Sequence, residues 1–159
     1  MSEKNYNDIL LISDLDGTLI PRYEMIFEEN VRAINAFTAA GGAFAAATGR
    51  TPESALPYLE GITVNAPSIF FNGAMLKDLA VNDVLETRTL DGDLWRTFAA
   101  RVLYQFPRAC VEVYTAEHCH ILSPEANDDP RLDDEFYNVN HTSLKAVEDE
   151  TWLKFFICD

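Results

Sequence analysis

The amino-acid sequence predicts an α/β fold, a parallel sheet with helices packed on its faces, that passes into a second half of α+β type. Three apolar runs, LLIS at 10–13, AFAAAT at 43–48 and PSIFF at 67–71, are continuous rather than alternating, as buried parallel strands are. Helix-like stretches with short connections separate them. Beyond Gly73 the pattern changes to alternation of apolar and polar residues, the mark of antiparallel hairpins.

The first run reads as a strand covered on both faces, and it ends in Asp14-Leu15-Asp16-Gly17-Thr18. Residues 28–40 predict a helix, with Val31, Ile34, Ala36 and Phe37 at helical spacing and Gly41-Gly42 as the stop. The second strand ends at Thr48. Thr51, followed by Pro52 and Glu53, reads as an N-cap with proline in the first turn, so a short helix is expected to about Leu59. The third strand ends at Asn72-Gly73. Right-handed crossovers place all three strand ends on one sheet edge, where open α/β sheets bind ligands, so Asp14, Thr48 and Asn72 become neighbours.

A hairpin is expected over 74–90, turning at Asn82 and Asp83, then an amphipathic helix over 91–105. A second hairpin, CVEVYTAEHCHILS, turns near Ala116 and Glu117, and WLKFFICD forms a last strand. Residues 124–150 are acidic and poorly periodic, with short helices at most near 131–137 and 143–149. The domain division is placed at 1–83 and 84–159.

A chain of 159 residues with 48% hydrophobic content has material for one ordinary domain or two small ones. The formal net charge of −14 is spread over both halves. Such a surface repels nucleic acid and anionic membrane, whose recognition rests largely on Lys and Arg, and would also repel a small phosphorylated substrate unless a bound cation or oriented amides reverse the local sign. No signal peptide or membrane span is legible, so a soluble cytoplasmic protein is expected. The three cysteines, Cys110, Cys119 and Cys158, lack CxxC spacing, which indicates neither a disulfide framework nor a zinc site. They read as reduced packing residues. His118 and His120 alternate along a hairpin with no third ligand at useful spacing, and read as structural. Phe70, Phe71, Phe155 and Phe156 read as core, and Asp128, Asp129 and Asp133 to Glu135 as solvated surface.

Asp14 alone could cap a turn. A second carboxylate two residues on is not explained that way: two adjacent acids raise each other's cost of ionisation, so the pair calls for a cation, a proton or open solvent. DLDGT after one apolar run, TGR at 48–50 after a second and FNGA at 71–74 after a third resemble the haloacid dehalogenase-like phosphatases, more closely their Cof-type branch. The resemblance is sharp over residues 8–90. Beyond them it fits the first part of the α+β cap that the branch inserts after its third strand.

This resemblance implies a partial Rossmann-like, three-layer α/β/α core with part of a cap. It implies Mg²⁺-dependent hydrolysis of a small phosphorylated metabolite, such as a sugar phosphate. Asp14 is then the nucleophile that forms an aspartyl-phosphate and Asp16 the acid and base. Mg²⁺ is held by the Asp14 side chain and the Asp16 carbonyl. The Thr48 hydroxyl and Gly49 N–H receive phosphoryl oxygens. Arg50 either clamps a substrate anion or pairs with a carboxylate of the protein, and Asn72-Gly73 either contacts substrate or makes an ordinary turn.

Two features of the family pattern, a lysine and a later acidic motif behind another apolar strand, find no match. The expectation is therefore a product of a longer phosphatase that stops inside the cap, with an unpaired apolar edge beside Asp14 open to self-association. For the chain taken alone this favours an alternative, a non-catalytic binding or assembly protein that retains the phosphate crevice. A receiver domain, which also uses an acidic Mg²⁺ pocket, fits worse because it places an adjacent acid pair after its first strand.

Overall fold

The computed structural model describes residues 5–21, 25–123 and 138–158. The chain divides into two compact units, Met1–Thr87 and Arg88–Asp159.

The first unit holds strands β1 (Leu10–Asp14), β2 (Ala43–Ala47), β3 (Ser68–Phe70), β4 (Met75–Asp78) and β5 (Asp83–Thr87), ordered β1-β2-β3-β4-β5 in one sheet. The β1–β2 and β2–β3 pairs are parallel, as the continuous apolar runs predict, and the β4–β5 hairpin adds two antiparallel strands. Helix α1 (Glu28–Ala39) buries Ile34 and carries Glu28 and Glu29 in its first turn, where acids complement the helix dipole. Helix α2 (Pro52–Ala55) starts as its sequence predicts, with the Thr51 hydroxyl accepting from Ser54 N at 3.1 Å. It ends sooner than Leu59. Pro57 offers no N–H to the helical ladder, and the chain continues as turns in which Tyr58 N donates to Ala55 O.

β1 has the unpaired edge expected of it but departs from the expectation of a strand covered on both faces. Leu10, Leu11 and Ile12 are 54%, 43% and 49% exposed, whereas Phe44, Ala45 and Ala46 of β2 are buried. Among the described residues β1 is an edge strand, bonded to β2 and to no strand on its other side, so its apolar side chains lack cover.

The second unit pairs helix α3 (Gly92–Gln105) with strands β6 (Cys110–Tyr114), β7 (Cys119–Ile121), β8 (Val139–His141) and β9 (Lys154–Cys158), ordered β8-β7-β6-β9. Asp91 caps α3, accepting from Leu94 N at 3.2 Å. Ala99 and Val102 of the helix form a core with Val111, Val113, Leu122, Val147 and Trp152, and Phe155 packs against it. β6 is buried on both faces, Glu112 included. The expectation of purely antiparallel pairing fails at β8, which runs parallel to β7. Three residues, Val-Asn-His, are too few to show a period, so β8 escaped the pattern. The helix expected near 143–149 is a short 3-10 turn, Leu144–Val147, capped by Ser143. The expected helix at 131–137 and the acidic cluster from Asp128 to Glu135 lie outside the described residues. No helix among those residues is long and apolar enough to cross a membrane.

Candidate active site

The parallel register sets the site. Asp14 stands opposite Ala47, and Ala47 opposite Ile69, so the carboxyl ends of β1, β2 and β3 lie level along one sheet edge. Thr48, Gly49 and Arg50 follow β2 directly, and Phe71, Asn72 and Gly73 follow β3. Backbone bonds tie the two loops: Asn72 N donates to Thr48 O at 3.1 Å and Phe71 N to Arg50 O at 3.0 Å.

The loop after β1 folds back on itself. Gly17 N donates to Ile20 O at 2.9 Å and Ile20 N to Leu15 O at 2.8 Å, with Gly17 at φ +75°, a conformation glycine adopts without strain. Leu15 is fully buried beneath this loop, while Asp14 and Asp16 on either side stay exposed. The chain thus turns one apolar side chain in and two acids out.

Each acid has a defined partner. Asp14 Oδ2 accepts from the Thr18 hydroxyl at 3.1 Å. Asp16 takes a fork of bonds from Arg50, Nη2 to Oδ1 at 2.7 Å and Nε to Oδ2 at 2.9 Å. The Arg50 side chain is almost fully buried, and its guanidinium lies 4.5 Å from the centre of the Tyr58 ring. Of the two uses open to Arg50, this geometry shows the pairing with a carboxylate of the protein, and that carboxylate is the second acid of the site.

Thr48 is buried, and its hydroxyl accepts from Arg50 N at 3.1 Å, which orients it within the loop. Gly49 lies close to Asn72: a Cβ there would meet the Asn72 side-chain oxygen at 2.6 Å, so the Asn72 side chain would have to turn aside. Phe71, Asn72 and Gly73 all have positive φ (52°, 55° and 101°), which makes this turn a strained segment and not a plain Asn-Gly turn. Phe71 is anchored in the core, so the turn is held from below while Asn72 stays exposed.

All seven residues singled out from sequence, Asp14, Asp16, Thr48, Gly49, Arg50, Asn72 and Gly73, therefore lie at the carboxyl end of β1 or in the three loops that follow β1, β2 and β3. Two supporting residues escaped sequence reasoning. Thr18 lies four residues after Asp14 inside the same motif and could have been found by its spacing; Tyr58 carries no local signal. For a cation, the strand tip offers hard oxygen donors, of the kind Mg²⁺ takes: the exposed Asp14 carboxylate and the backbone carbonyls of the following loop. Among the described residues, no further His, Cys or acidic side chain joins Asp14 and Asp16 in a three-ligand cluster.

A hypothetical protein from Geobacillus kaustophilus superposes with a TM-score of 0.73 at 18% identity, over 94% of this chain and 57% of that one. The subclass IIB sugar phosphatase BT4131 gives 0.73 at 18% identity, over 94% and 58%. A haloacid dehalogenase-like hydrolase from B. subtilis gives 0.75 at 16% identity, over 90% and 59%. The chain thus spans little more than half the length of these structures, and at such identities they establish the fold. No curated protein matches the sequence. The family model for haloacid dehalogenase-like hydrolases matches residues 11–159, from the first strand onward, and the chain belongs to that family.

Proposed function

We propose that this chain is the nucleophile-bearing part of a Mg²⁺-dependent phosphomonoesterase of the Cof type, acting on a small phosphorylated metabolite. The observation that carries the reading is the level register Asp14–Ala47–Ile69, which gathers an exposed acid pair and two donor-bearing loops at one sheet edge. A sugar phosphate is the favoured substrate class, because one of the similar structures is a sugar phosphatase.

In this reading an Asp14 oxygen attacks phosphorus and the ester oxygen leaves, giving an aspartyl-phosphate that water then cleaves. Mg²⁺, when bound by the Asp14 carboxylate and the Asp16 carbonyl, supplies charge neutralisation between the two anions. Asp16 protonates the leaving oxygen and afterwards takes a proton from the attacking water. To do so its carboxylate must exchange the Arg50 fork for the substrate, so Arg50 holds Asp16 in the resting site and releases it to act. The Thr48 hydroxyl and Gly49 N–H receive the phosphoryl oxygens where negative charge develops. Asn72 and Gly73 form the rim on which the rest of the substrate rests.

A binding role without turnover is the second reading. It is favoured by the Arg50–Asp16 fork and by the lack of a third acid beside Asp14 among the described residues. Hydrolysis of an aryl phosphate by the protein, abolished by EDTA and by Asp14→Asn, separates the two. Turnover that survives Asp14→Asn refutes the nucleophile, and phosphate binding without turnover establishes the second reading. We also infer that the exposed apolar edge of β1 supports self-association of the chain.

A further inference from the structure

A second cluster of chemistry-bearing side chains lies in the other unit. The antiparallel register of β6 and β9 sets Cys110 opposite Cys158 and Glu112 opposite Phe156. Cys110, Glu112, Tyr114 and Cys158 therefore share one face of the sheet, away from the Val111 and Val113 core. The Cys110 and Cys158 sulfurs lie 3.8 Å and 4.0 Å from the same oxygen, Glu112 Oε1.

We propose that Cys110, Glu112 and Cys158 form a binding site for a thiophilic divalent cation of the zinc class. Their ligand atoms all lie within 4.8 Å of one another. A tetrahedral ion at ordinary Zn–S and Zn–O bond lengths sets ligand-to-ligand edges of about 3.6–3.8 Å, so the set needs to contract by about an ångström at most. The Tyr114 hydroxyl donates to Glu112 Oε2, which leaves Oε1 turned toward the two sulfurs. Such an outer hydrogen bond is the usual means of aiming a metal-bound carboxylate.

Burial strengthens the case. Glu112 is fully buried, with the Tyr114 hydroxyl on one oxygen and the two thiols, which are weak donors, on the other; a cation bound among the sulfurs would replace those weak donors. Cys158 is half-buried and gives an ion its way in. On binding, each thiol passes its proton to solvent and its sulfur lone pair to the metal. Two thiolates and one carboxylate exceed the charge of a divalent ion by one. Lys154, whose Nζ lies 4.8 Å from the Tyr114 ring centre on the same face, offsets that surplus. Three protein ligands leave a fourth position for water.

Titration of the reduced 159-residue protein with Co²⁺ tests the site. The expected result is a thiolate-to-cobalt charge-transfer band that saturates at one equivalent, with the visible bands of tetrahedral cobalt, and is bleached by Zn²⁺. Cys110→Ser and Cys158→Ser each remove most of that band. Tyr114→Phe keeps it but weakens binding about tenfold, as the loss of an outer-shell partner does. Cys119→Ser leaves it unchanged. A wild-type protein that shows no charge-transfer band, or a band that persists in the Cys110→Ser/Cys158→Ser double variant, overturns the proposal. The wild-type spectrum alone decides the matter if a variant does not fold.

Discussion

β1 and β6 invert the usual rule of side-chain placement in opposite directions. β1 carries Leu10, Leu11 and Ile12 and leaves them exposed; β6 carries Glu112 and buries it completely. The difference is position. β6 lies between β7 and β9, with backbone bonds on both sides, while β1 is bonded to β2 alone among the described residues. A strand's place in its sheet, and not its composition, decides what water reaches. The same contrast separates the acids: Asp14 stands at an exposed strand tip, and Glu112 is enclosed beside two thiols.

The sharpest way to break this comparison is at the tip of β1. Asp14→Asn is expected to reduce aryl phosphate hydrolysis to background while far-UV circular dichroism is unchanged, because the substitution keeps the shape and removes the proposed nucleophile. Within the first sheet, Phe44→Ala, in the buried strand beside β1, is expected to cost about 3–5 kcal/mol in urea denaturation, as large-to-small changes in packed cores do. Leu11→Ala on β1 is expected to stay within about 0.5 kcal/mol, since the side chain is already exposed. Equal losses at the two positions would mean that β1 is covered in solution. Thr51→Ala removes the α2 cap and is expected to cost about 1 kcal/mol. The smallest effect on stability is expected from Leu11→Lys, which places a charge on the open edge. Its readout is sedimentation, with self-association weakened relative to the wild-type chain.

The strand tips were legible because each apolar run ends abruptly in residues that a buried strand does not tolerate. Asp14, Thr48 and Asn72 are such punctuation, and the parallel order of the first three strands makes them neighbours without any further information. The Arg50–Asp16 fork was open at the sequence level because the partner lies 34 positions away on another strand's loop. Its choice depends on where two side chains point. β8 was hidden by its brevity, and the early end of α2 follows from Pro57, a residue whose missing N–H was in plain view.

By itself, the sequence determined the order of elements in the first unit, the parallel character of its first three strands and the three loops at their carboxyl ends, because hydrophobic periodicity and turn residues act over a few neighbouring positions. The tertiary structure decided how far water reaches the side chains of β1 and that it does not reach those of β6. It also decided that Cys110 faces Cys158, two cysteines whose spacing suggested packing alone. Register is a long-range property: it arises when β6 and β9 pair across forty or more positions, and no local pattern encodes which side chains then meet.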